Sequence, residues 1–131
     1  MLLNLSNHVV AKWSAAQKEA AETEFSEIRD LPFPAIAPDA DLSIIIVLAQ
    51  EYVQKCKEQI DQQQATSNRR SVCAIHIMGE MTFVYQFVRL ATAAGLRCVA
   101  STTERIAVDH PNGSKTSEFR FVRFREYEQV K

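Results

Sequence analysis

The chain has 131 residues, 47% of them hydrophobic, which is one domain's worth and enough to bury a core without staples. Its 15 Lys+Arg stand against 16 Asp+Glu, for a formal charge of −1. That excludes a strongly basic nucleic-acid coat, because charge-driven duplex binding needs an excess of cations on one face, but it leaves room for a small, local anion site.

Leu2 to Leu5 predicts a short strand, followed by the polar turn Ser6-Asn7-His8. Ser14-Ala15-Ala16-Gln17 has the form of a capping box, so a helix is expected from near Ser14 to about Phe25. Glu27 to Leu31 is a second strand candidate. Pro32-Phe33-Pro34 and Pro38 then enforce an extended loop, since proline lacks the N–H that helices and ladders use. After the N-cap types Asp39 and Asp41, apolar residues from Leu42 through Ile45, Ala49, Cys56 and Ile60 recur at helical spacing. The run fades into Asp61 to Arg70, which is expected to be a polar, solvated loop.

Val72 to Met78 is nearly continuously apolar, as a strand buried on both faces would be. Gly79-Glu80-Met81-Thr82 opens a third helix bearing Phe83, Phe87, Ala91 and Ala94, with Gly95 where a C-terminal cap is expected. Cys98-Val99-Ala100 is the next buried strand, expected to end in the loop Ser101-Thr102-Thr103-Glu104-Arg105. Ile106 to Val108 and Phe119 to Phe124 flank Pro111-Asn112-Gly113-Ser114, a hairpin signal because Asn and Gly both tolerate positive φ. Alternation places Phe119 and Phe121 on one hairpin face and Arg120, Val122 and Phe124 on the other. Residues 1–131 therefore predict a single α/β domain, a Rossmann-like three-layer sandwich. Its sheet is mostly parallel, in the order 2-1-3-4, with a C-terminal hairpin.

Cys56, Cys73 and Cys98 form neither a disulfide framework nor a set at metal-ligand spacing, and read as reduced core thiols. No signal-peptide pattern opens the chain, and the longest apolar run, Ile44 to Ala49, is too short to span a membrane. A cytoplasmic protein without a membrane partner is expected, and neither a metal nor a cofactor.

In an open α/β sheet, ligands bind outside the C-terminal strand ends, where the strand order reverses. That rule selects Ser6-Asn7-His8, Gly79 to Thr82 and Ser101 to Arg105. The amides of Gly79, Glu80 and Met81 would open a helix N-terminus, which favours an anion. Thr82, Ser101, Thr102 and Thr103 bring hydroxyls, and Arg105 can fork onto a phosphate. Glu80 would repel a phosphate, so its functional reading is a general base or a contact to a ribose hydroxyl. The plain alternatives are turn-making for Ser6 and Asn7, close packing for Gly79, a first-turn carboxylate for Glu80, a loop hydrogen bond for His8, and the start of an edge strand with a surface Arg for Thr102, Thr103 and Arg105. His76 reads as a core histidine with its bonds met, His110 as solvated, and Trp13 as an anchor for the first helix. Arg120, Arg123 and Arg125 read as an exposed hairpin face. No phosphate-loop, dinucleotide or hydrolase-elbow motif is present.

Leu3-Asn4-Leu5-Ser6-Asn7-His8, a Trp and a Gln in the next helical stretch, and Asp30-Leu31-Pro32-Phe33-Pro34 resemble the small, stand-alone CRISPR-associated Rossmann-fold (CARF-like) proteins. These include ring nucleases and other binders of cyclic oligoadenylate. Gly79 to Thr82 and Ser101 to Arg105 fit the loops that hold the cyclic ligand there. The sequence departs from the pattern in lacking a lysine after the fourth-strand serines, where Arg105 would stand in.

The resemblance implies a homodimer that binds a cyclic oligoadenylate of type III CRISPR immunity, cyclic tetraadenylate above all, and cleaves it as a metal-independent ring nuclease. It implies no DNA partner. On that reading His8 transfers a proton, Arg105 and the Gly79 to Thr82 amides stabilise charge, and Ser6 and Asn7 orient the ribose. Two alternatives remain: a non-catalytic sponge or sensor of the messenger, and an interaction subunit that uses the hairpin.

Overall fold

The computed structural model describes residues 1–66 and 72–128. Along the chain run β1 (Leu2–Ser6), a 3-10 turn (Val10–Lys12), α1 (Ala15–Phe25), β2 (Ile28–Asp30) and α2 (Leu42–Thr66). Then come β3 (Ala74–Met78), α3 (Met81–Ala93), β4 (Cys98–Asp109) and β5 (Lys115–Glu126). They build one sheet in the order β2-β1-β3-β4-β5. Pairing is parallel from β2 to β4, and β5 closes the edge antiparallel to β4. The expected α/β architecture and strand order are present.

From β1 the chain steps one way to β2, then back across β1 to β3. With a constant crossover hand, that reversal sends the helices to opposite faces. On one face Trp13, Ala21 and Phe25 pack with Leu2, Ala74, Val99 and Phe124. On the other, α2 and α3 bury Ile45, Ala49, Phe83 and Phe87 against Leu3, Leu5, Ile75 and Ile77. Side chains of β1 and β3 are buried on both sides, which is why those strands read as apolar runs.

The helix ends follow local chemistry. Ser14 Oγ accepts the Gln17 amide at 3.2 Å and starts α1. At the end of α3, Gly95 takes φ +81°, the Gly95 amide donates to Thr92 O at 3.0 Å, and the Leu96 amide donates to Ala91 O at 2.9 Å. That is a Schellman stop at the expected glycine.

Four expectations need correction. The polar segment from Asp61 is not a loop: α2 continues to Thr66, because a solvated Gln-rich run keeps good helix propensity. Residues 67–70 of that expected loop lie outside the described residues. Ser101 to Arg105 is not a loop either but the middle of β4. Its partner strand runs alongside all five, from Ser101↔Phe124 to Arg105↔Phe119, so ladder hydrogen bonds override the local turn chemistry.

The hairpin tip also differs in detail. Only Gly113 adopts positive φ, at +83°, and Asn112 Oδ1 instead accepts the Ser114 amide at 3.0 Å. Finally, Phe124 does not face away from Phe121. Pairing passes from Thr102↔Arg123 to Thr103↔Phe121, leaving Val122 as a bulge. The extra residue shifts the alternation by one, so Phe124 and Phe121 share a face with ring centroids 5.0 Å apart.

Candidate functional site

β1 and β3 are the strands between which the order reverses, and Asn4 and His76 stand opposite each other on them. Both are almost wholly buried, at 1% and 2% exposure. A buried polar group is costly unless its bonds are met, and here they are met by a chain of contacts. Asn4 Nδ2 donates to Asp30 Oδ1 at 2.9 Å and to His8 O at 2.8 Å. Asn4 Oδ1 lies 2.9 Å from His76 Nδ1, and His76 Nε2 lies 3.1 Å from Ser101 Oγ. Ser6 Oγ donates to Asn4 Oδ1 at 2.7 Å. The histidine ring packs edge-on against Trp13 and Phe124. Burial pushes its pKa down to about 4.

The network ties together the middles of β1 and β3, the end of β2 and Ser101 of β4. It also pins the loop after β1. His8 O accepts from Asn4 and the Trp13 indole, the latter at 3.2 Å, while Asp30 Oδ1 accepts the Val10 amide at 3.1 Å. The main chain of this loop is therefore held, and Asn7 and His8 remain exposed.

The β3–α3 turn lies beside it. Glu80 caps α3: its carboxylate accepts the Thr82 and Phe83 amides at 3.1 and 2.8 Å and the Thr82 hydroxyl. These hydrogen bonds, the Thr82 hydroxyl foremost, hold the Glu80 pKa below the usual carboxylate value. The carboxylate thus takes two of the amides at this helix N-terminus. Gly79 is needed for packing, since a Cβ there would come within 2.4 Å of the Phe33 ring. Beyond the turn opens a groove of ≈ 1060 Å³, bounded by Met78, Gly79, Met81, Tyr85, Arg89 and Tyr127.

The structure gathers part of the expected site and separates the rest. Ser6, Asn7, His8, Gly79, Met81, Thr82 and Ser101 lie at the C-terminal ends of β1, β3 and the β3-paired part of β4. Thr102 turns its hydroxyl to Arg123 O at 3.1 Å, within the hairpin ladder. Thr103 and Arg105 stand out on the exposed hairpin arm. Arg105 is four residues, about 13 Å of strand, past Ser101. Its guanidinium donates to Ser117 Oγ at 3.1–3.2 Å.

The strand-end rule does not select Asn4 or Asp30, and the sequence reads His76 as a core residue. The signal available was a polar residue inside each of two apolar strands, Leu-Leu-Asn-Leu and Ala-Ile-His-Ile. His76 does have both ring nitrogens bonded, His110 is exposed beside the tip, and Trp13 anchors the first helix. Burial pushes the Cys56 and Cys98 thiols up to about 12, which makes them poor nucleophiles. Among the described residues no cluster of His, Cys, Asp and Glu could hold a metal ion. No helix among them is long and apolar enough to cross a membrane.

No curated protein and no solved structure matches the chain. A family model described as "Uncharacterized protein MJ1673 family" matches residues 1–125, and the chain belongs to that family.

Proposed function

We propose that this protein binds a cyclic oligoadenylate at the C-terminal ends of β1 and β3 and at Ser101 of β4, as a cytoplasmic homodimer acting in type III CRISPR immunity. The observation that carries the reading is the convergence at the strand-order reversal. The held β1 loop, the β3–α3 turn and Ser101 lie at one edge of the sheet. The adjoining groove offers the rings of Tyr85 and Tyr127, on which a nucleobase can stack, and the Arg89 cation. A ring of four adenylates has two-fold symmetry, so two subunits related by a two-fold axis would each contribute one copy of every loop. Cyclic tetraadenylate fits such a dimer, and so does a ring of six, which also has a two-fold axis.

Ring opening without a metal is the second reading. The exposed His8 imidazole, on a loop whose main chain is fixed, favours it. A positioned histidine would take the ribose 2′-hydroxyl proton as that oxygen attacks the neighbouring phosphorus; the P–O5′ bond breaks, the 5′-oxygen leaves with a proton, and a 2′,3′-cyclic phosphate remains. Glu80 and Arg105 give this reading less support, since one caps α3 and the other is on the hairpin arm. A binder that sequesters the messenger needs neither.

The test is to mix the protein with cyclic tetra- and hexa-adenylate in EDTA and follow retention and products by liquid chromatography with mass detection. Retention of the tetramer ring supports binding. Linear products establish ring opening. Absence of both retention and products overturns the messenger reading and leaves an interaction role for the hairpin in front.

A further inference from the structure

The contacts of Asn4 decide the direction of every proton around His76. Asn4 Nδ2 donates to His8 O and to Asp30 Oδ1. A carbonyl and a carboxylate only accept, so the carboxamide cannot be reversed. Asn4 Oδ1 therefore faces His76 Nδ1 at 2.9 Å, and the proton between them belongs to Nδ1. In the neutral ring Nε2 then carries a lone pair. Ser101 Oγ, 3.1 Å away, donates its single hydrogen into the ring. Met78 Sδ, also 3.1 Å from that oxygen, is a much weaker acceptor and does not compete. What a partly exposed Ser101 shows outward is lone pairs only.

We propose that Ser101, oriented by His76 and Asn4, is an acceptor-only contact that takes a ribose 2′-hydroxyl of the bound nucleotide. An ionised phosphate oxygen has no proton to give, so Ser101 could bind it only by breaking its bond to His76. In a 3′–5′-linked ring the 3′-hydroxyls are consumed in the linkages. The remaining donors are the 2′-hydroxyls and the base amines, and the aromatic groove beside Met81 suits the bases. Ser101 thus selects ribonucleotides over deoxyribonucleotides, with Asn4 and His76 as its positioning residues. The inference rests on the messenger reading above.

Two measurements test it. A nitrogen-15 imidazole spectrum of histidine-labelled protein at pH 7 should show His76 neutral with the proton on Nδ1. A proton on Nε2 overturns the assignment. Calorimetric titration should show cyclic tetraadenylate binding roughly tenfold more tightly than its all-2′-deoxy counterpart, the worth of about one hydrogen bond. Ser101→Ala should bind both rings alike, and Ser101→Thr, which keeps the hydroxyl, should retain the preference. A preference that survives in Ser101→Ala overturns the ribose contact. Binding of neither ring overturns the messenger reading and the ribose contact with it, while the spectrum decides the orientation of the hydroxyl independently.

Discussion

Asn4 on β1 accepts the Nδ1 proton of His76 on β3 across 2.9 Å, in register, with both side chains buried. The two sit where the strand order reverses, and their outer bonds reach β2, the β1 loop and β4. One polar pair inside an apolar sheet thus ties three neighbouring parts, β2, the β1 loop and β4, to β1 and β3.

Asn4→Ala should destabilise the protein by about 2–4 kcal/mol. It leaves the buried His76 Nδ1 proton without its acceptor and takes one donor each from Asp30 and His8 O, which keep the Val10 amide and the Trp13 indole; an unmet buried group costs about 1–3 kcal/mol. Urea denaturation of Asn4→Ala, His76→Ala and the double variant should give a coupling of roughly 0.5–3 kcal/mol. Simple additivity would mean that the two residues act apart.

Stability should fall on acidification between pH 6.5 and 4. The free histidine value is 6.5 and the folded one about 4, so in this window the unfolded chain binds a proton that the folded chain does not. The stability is fully present above 6.5 and is lost as pH drops toward 4. At about 1.4 kcal/mol per unit the loss is roughly 3 kcal/mol. Urea midpoints at pH 7 and 4.5, compared with those of His76→Gln, isolate this residue. An equal acid loss in the variant would assign the effect to other groups.

Gly79→Ala should cost about 1–3 kcal/mol, the usual penalty for overpacking. The new methyl would meet the Phe33 ring at 2.4 Å. Adding Phe33→Leu should recover part of the loss in thermal melts, because the smaller side chain can give way. No recovery would place the strain in the turn itself.

Glu80→Ala should lower stability by about 1 kcal/mol, as loss of an N-cap does. Glu80→Asp should restore most of it. The comparison separates capping from a role in proton transfer, because aspartate is a good cap but sets its carboxylate back by one methylene.

Phe124→Ala should cost about 3–5 kcal/mol and Phe119→Ser less than about 0.5 kcal/mol. Phe124 packs on Trp13 and Phe25, whereas Phe119 is 69% exposed on the hairpin arm. Denaturation midpoints of the two variants check which aromatic residues of β5 belong to the core.

The element order, the parallel sheet and its reversal point are legible in the residues alone. Those follow from local signals: apolar runs at Leu2 to Leu5 and Val72 to Met78, a cap at Ser14, a stop at Gly95 and a turn at Gly113. They also mark Ser6 to His8 and Gly79 to Thr82, because strand ends follow from strand order. The rest emerges only when the strands pair. Ser101 to Arg105 looks like a polar loop until β5 pairs with it, and one bulge at Val122 turns Phe124 inward. The partnership of Asn4, Asp30, His76 and Ser101 joins residues as many as 97 positions apart. Their bonds exist only once four strands lie side by side, since hydrogen-bond direction depends on register and facing, which local sequence does not encode.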